Sequence, residues 1–247
     1  MSATVTIPSR HTATVPPAQR ARRERQFFST MSLAAAVTVV WGFGPTYFLK
    51  EAYGTPPLST LLHVHGALFT AWIVLLLAQT ALVATRHTPV HRRVGQAAVV
   101  LIPAMLVLGW MAGVDAARRG STIPGLTPQA FLIIPLAAIV VFTTLAAGAM
   151  ILKRRPDYHK RLMLLATIEL LTAAVARISL VAPYGPVGFF GVTDLFVLAL
   201  FAFDYATLRK IHPATLWGGL FLIASQPLRL LVTATSAWTS FAGWLMG

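Results

Sequence analysis

Seven apolar stretches, at about 28–49, 58–84, 89–114, 128–152, 158–182, 188–208 and 213–236, take up most of the chain. A helix rising about 1.5 Å per residue needs ~20 apolar residues to cross a ~30 Å hydrocarbon core, so each stretch is long enough to span. Inside lipid, backbone N–H and C=O groups are satisfied only in helices or closed barrels, and runs of this length are helical. The sequence therefore predicts an all-α polytopic membrane bundle of seven transmembrane helices over 27–247. It follows a basic, proline-containing arm over 1–26 with no apolar period, read as disordered and cytosolic. Composition closes the soluble alternative: 56% of the residues are hydrophobic and 11% charged, against about 25% charged in globular chains.

The net charge of +13 reads as topology, not as a nucleic-acid surface, because lipid covers most of the available exterior. Lys and Arg in short connections stay on the cytoplasmic side. With the N-terminus inside, fifteen of the twenty cations lie in inner segments: the arm, Arg86, Arg92 and Arg93, Lys153 to Arg161, and Arg209 with Lys210. Three lie outside (Lys50, Arg118, Arg119), and Arg177 and Arg229 fall within spans. The expected orientation is N-terminus cytoplasmic and C-terminus outside. The chain has no cysteine, which excludes disulfides, thiolate metal sites, thiol nucleophiles and c-type haem attachment.

Thr88-Pro89-Val90-His91-Arg92-Arg93 and Arg155-Pro156-Asp157-Tyr158-His159-Lys160-Arg161 share a plan: a basic loop, Pro near a helix start, and His ahead of two cations. Setting His91 on His159 gives an offset of 68 residues and pairs hairpin 58–114 with hairpin 128–182 as a duplicated core. Ile211-His212-Pro213 repeats the pattern at the last span. Pro suits a first helical position because its missing N–H would be unpaired there anyway. Three imidazoles are thus expected at one cytoplasmic level.

Val90-His91-Arg92-Arg93-Val94-Gly95, and His159-Lys160-Arg161-Leu162-Met163 followed by Arg177, resemble hallmark stretches of bacterial predicted membrane proteins of unknown function, over spans two to five. The whole chain, with Thr193-Asp194-Leu195 and Ser225-Gln226-Pro227-Leu228-Arg229, is similar to a group of seven-span proteobacterial proteins. As a four-helix core carrying histidines it also resembles cytochrome b-type electron carriers. The first likeness implies a bacterial inner-membrane, multi-pass protein. The likeness to cytochrome b-type carriers implies haem b held between imidazoles, with a quinone-like redox partner. The chain departs from such carriers in lacking a histidine in span four.

Three functions follow. His91 and His159 could ligate one haem b between neighbouring helices, for electron transfer, since bis-imidazole ligation needs two convergent neutral nitrogens and an apolar slot. His63 and His65 are further cofactor candidates in the outer half of span two, but residues two apart point about 200° from each other. His65 shares a stripe with Trp72 and Gln79 and is the better interior candidate. Alternatively, His91, His159 and His212 with Asp204 could hold zinc and activate water for hydrolysis. Lastly, Glu169, Arg177, Asp194 and Arg229 sit at membrane depth, where each costs about 2.5–3.5 kcal/mol unless paired or hydrated. They would form the buried polar pocket of a cofactor-free transporter or lipid-interacting scaffold.

Overall fold

The computed structural model describes residues 16–123 and 125–247, so most of the expected arm lies outside the described residues. The described fold is helical: α1 (Pro17–Phe43), α2 (Thr60–Ala84), α3 (Thr88–Val94), α4 (Ala97–Arg118), α5 (Pro128–Ile151), α6 (Pro156–Val175), α7 (Gly185–Leu208), α8 (Pro213–Thr233) and α9 (Ser236–Met246). Residues 17–26 of the expected arm are helical. Helix begins at Pro17 and carries the Arg20–Arg25 stretch on its first turns, where Glu24 accepts from Arg20 at 3.2 Å and from Lys160 of α6 at 2.7 Å.

Among the described residues, six helical stretches are long and apolar enough to cross a membrane: Ala18–Phe48, Thr60–Ala84, Thr88–Arg118, Pro128–Ile151, Ala182–Leu208 and Pro213–Thr233. The expected fifth span, now α6, fails that test because its sequence holds Asp157, His159, Lys160, Arg161 and Glu169. Its position explains the polarity. It packs against α1, α5, α7 and α8, and Arg161, Leu164 to Glu169, Leu171, Thr172, Ala174 and Val175 are all buried. A helix clad by others meets side chains in place of lipid, so it can carry charge wherever a neighbour supplies a partner. Around it the main core joins Trp72, Met105, Phe142, Leu165, Ile168, Leu200 and Leu222. Trp72 Nε1 donates to Thr167 Oγ1 at 3.1 Å, tying α2 to this central helix.

Helix ends follow local chemistry. Thr127 and Thr235 accept from the N–H groups of Ala130 and Trp238, as N-cap hydroxyls do. At Gly44–Phe48 the chain passes into a short π segment closed by Leu49 N–H to Gly44 O at 2.8 Å, consistent with the breakers in Gly42-Phe43-Gly44-Pro45. The expected third span divides into α3 and α4 around Gly95-Gln96. The eleven-residue α9, too short to span, has no counterpart among the seven expected helices. It packs on α4 and α5 through Trp238 and Ala242. Arg118 donates to the last carbonyls of α9, Leu245 O at 2.9 Å and Met246 O at 3.1 Å, where a cation favours the helix dipole.

Candidate functional site

Two ion pairs are buried along the central helix. Eight residues on α6 separate Arg161 from Glu169, a rise of about 12 Å, so the pairs occupy different depths. The lower one is saturated. Arg161 and Asp204 have fully buried side chains, and Asp204 accepts from Arg161 Nε at 3.0 Å and Nη2 at 2.5 Å. Asp204 Oδ2 also accepts from Thr215 Oγ1 at 2.6 Å and from the His212 backbone N–H at 3.1 Å. Arg161 Nη1 donates to Asp157 O at 3.1 Å. Arg209 ends α7 in the left-handed region (φ 56°), and the turn after it returns His212 to Asp204. This pair locks α6, α7 and α8 together.

The upper pair is half open. Arg229, on α8, donates through Nη2 to Glu169 Oε1 at 2.7 Å and to Ser225 Oγ at 2.8 Å. Both side chains are buried, at 2% and 1% exposure. Yet Glu169 Oε2, Arg229 Nε and Arg229 Nη1 find no hydrogen-bond partner among the described residues. A buried group left unpaired costs about 1–3 kcal/mol, and more when charged. In the saturated pair, by contrast, no side-chain polar atom is left without a partner. Beside the half-open pair, the half-buried Asp194 of α7 accepts from Gln226 Nε2 at 2.7 Å, and Gln226 lies three residues before Arg229 on the same face of α8. Phe190 faces the Arg229 guanidinium at 5.6 Å. Thr193 gives its hydroxyl to Phe189 O at 2.7 Å, closing the layer on the α7 side.

Of the four residues expected in a polar pocket, Glu169 and Arg229 bond directly and Asp194 lies alongside. Arg177 goes elsewhere: it donates to Ala173 O at 2.6 Å and covers the Phe43 ring of α1 at 4.5 Å. The residues expected from sequence omit Ser225, Gln226 and Arg161. Ser225 and Arg229 share a helix face at spacing four.

The three helix-start histidines are occupied separately. The amide of Gln79, on α2, donates to His91 O at 3.1 Å and to His91 Nδ1, and accepts from Gly95 N–H at 3.0 Å, bridging the α3–α4 joint. His159 Nδ1 pairs with Ala149 O at 2.9 Å. His212 Nδ1 accepts from Ala214 N–H at 3.1 Å and so caps its own helix. His63 is exposed, and its backbone carbonyl accepts from Tyr47 Oη at 3.3 Å. His65 packs on Phe69 with ring centroids 4.2 Å apart. Among the described residues no three His, Asp or Glu side chains group to hold a metal ion. The expected ligand set of His91, His159, His212 and Asp204 is not assembled, because Asp204 is committed to Arg161 and His212 to its cap.

The His212 cap requires a bare Nδ1, hence a neutral ring in the Nε2–H tautomer. Burial holds its pKa below the ordinary value, and the Arg161 charge acts the same way. The unfolded chain then binds more protons than the folded one, so this contribution is complete above about pH 6.5 and declines as pH falls below it. Replacing His212 by Asn keeps a capping acceptor that does not titrate. The loss of thermal stability between pH 7 and pH 5, on the order of one to two units around the free-imidazole pKa, is expected to be smaller in that variant. An equal loss would show that the cap does not titrate.

In comparisons with known proteins, no family model, no curated protein and no solved structure matches the chain, so the likeness to seven-span bacterial proteins and to cytochrome b-type carriers rests on the quoted residues alone.

Proposed function

We propose that the chain is a multi-pass membrane protein of transport type, whose working site is the half-open Glu169–Arg229 pair. The observation that carries this reading is the set of three buried, unpartnered polar atoms on that pair, in a bundle that saturates the other one. Ionisable groups at membrane depth mark solute or proton pathways unless they are structural, and saturation is what distinguishes a structural pair. The twenty residues of α6 supply a seventh crossing, sheltered by its neighbours. The cation count supports a cytoplasmic N-terminus, an outer C-terminus and α9 lying at the outer interface.

The test uses the full chain in liposomes, with water, glycerol, urea or a pH difference imposed in turn. At least one of these is expected to cross several-fold faster than in protein-free liposomes. The Glu169→Leu/Arg229→Met double variant, which removes both charges together, is expected to return that flux to the protein-free rate. Unchanged flux in the double variant, or none in the parent protein, overturns the reading. An optical spectrum and metal analysis of the same sample separate the other readings: a Soret band with iron would favour haem b and electron transfer, and stoichiometric zinc would favour hydrolysis.

A further inference from the structure

Gln226 and Arg229, three residues apart on one face of α8, hold Asp194 and Glu169 respectively, so that face gathers a trio of two carboxyl groups and one guanidinium. Arg229 bonds Glu169 directly, while the hydrogen-bond partner of Asp194 is the neutral amide of Gln226. If both carboxyls were ionised, the trio would carry one uncompensated negative charge. An unpaired charge at such depth costs several kcal/mol, whereas a proton on either carboxyl makes the trio neutral. Among the described residues no other charge is placed to compensate. The spans of α1 and α5 that pack on α6 contribute no Asp, Glu, Lys, Arg or His within 26–43 and 128–151. Arg161 is committed to Asp204, and Arg177 stands over Phe43. Among the described residues, Asp194 from α7 and Arg229 from α8 are the charged groups left to face Glu169.

The free atoms also select the occupant. Arg229 offers Nε–H and Nη1–H, while Glu169 Oε2 asks for a donor. An anion would meet the Glu169 carboxylate and a cation would meet Arg229. A neutral molecule that donates and accepts, of which water is the smallest, satisfies both. We infer that Glu169 and Asp194 share a single proton across Arg229, exchanged through bridging water. In the exchange the O–H bond of protonated Asp194 breaks as its proton passes to the water. That water gives one of its own protons to Glu169 Oε2, leaving Asp194 a carboxylate and Glu169 an acid. Arg229 stays cationic and the trio stays neutral throughout. The two carboxyls therefore titrate as one unit. The inference deepens the transport reading by naming the proton as the species held there.

Infrared spectroscopy of the full chain in lipid tests it, through the carbonyl stretch of a protonated carboxyl near neutral pH. The sequence has seven acidic residues. Of the other five, Glu24, Glu51, Asp115, Asp157 and Asp204 each pair with a cation. The expected result is one protonated carboxyl, whose band shifts in D2O. Either Glu169→Gln or Asp194→Asn alone should abolish the band, not halve it, because one carboxylate then balances Arg229. Arg229→Gln should double it, since two carboxyls then need protons. Glu24→Gln should leave it unchanged. A band that survives either single carboxyl substitution overturns the inference, as does its absence from the parent protein, and neither result depends on Arg229→Gln folding. Pair-dependent flux of urea or glycerol without this band would sink the shared proton and leave the transport reading standing.

Discussion

Replacing Arg161 by leucine is expected to remove about 3–5 kcal/mol of stability, because Asp204 would then sit fully buried with no counter-charge. In the native chain Arg161 covers both carboxylate oxygens from one side, while Thr215 and the His212 N–H approach Oδ2. Loss of the guanidinium leaves those last two donors in place but strands a negative charge among α6, α7 and α8. Arg161→Leu combined with Asp204→Asn should recover a large part of the loss, since the asparagine oxygen still accepts from Thr215 and His212 and no charge remains. Arg161→Lys should fall between, keeping the charge and losing the two-pronged contact. Denaturation in detergent micelles measures all three. A single variant within ~1 kcal/mol of the parent protein would mean that the pair holds nothing together, and the contrast that singles out Glu169 and Arg229 would go with it.

That contrast could not be read from the sequence, although much of the architecture could. Hydropathy finds the apolar helices because lipid contact imposes the same requirement at every exposed position. It fails to mark α6 as special, since 158–182 reads as one more span although its helix is the enclosed axis. The run from Lys153 to Arg161 looks like a cytoplasmic loop by charge, and five of its residues count toward orientation. Helical geometry instead turns Arg161 inward, one turn beyond Asp157. Its partner on α7 lies 43 positions away, and spacing alone cannot fix such a pairing. The histidines fail for a related reason. Matching positions at three helix starts define a level, but not the direction of a ring, and each ring turns to the nearest backbone or amide group. For His212 the signal was present: a polar residue just before Pro at a first helical position occupies an N-cap site. Glu169 and Arg229 were legible as costly residues at depth. That their bond leaves three atoms unpartnered is a fact of side-chain geometry.

The position of α6, and so of Glu169, depends on how closely α1 can approach it, and Gly42 sets that approach. A Cβ at Gly42 would lie 2.1 Å from the backbone oxygen of Ala174 and 2.6 Å from its carbonyl carbon. Both obstructing atoms belong to a helix backbone, so no side chain can rotate away and the helices themselves must part. Overpacking of this kind costs about 1–3 kcal/mol, and contact between two backbones puts Gly42→Ala at the upper end of that range. Gly44, two residues on, has nothing within 4 Å of the same added carbon. Alanine there meets no obstacle, and its better helix propensity is worth up to ~1 kcal/mol. The motif Gly-Phe-Gly thus separates into one position where the side chain must be absent and one where its absence is incidental. Thermal unfolding in detergent is expected to show Gly42→Ala well below the parent protein and Gly44→Ala level with it or above. Parting α1 from α6 should also lift Phe43 from Arg177, a contact of 4.5 Å, and displace the helix that carries Glu169. The pair-dependent liposome flux should therefore fall in Gly42→Ala and persist in Gly44→Ala. Equal behaviour of the two variants would show that α1 does not position the central helix.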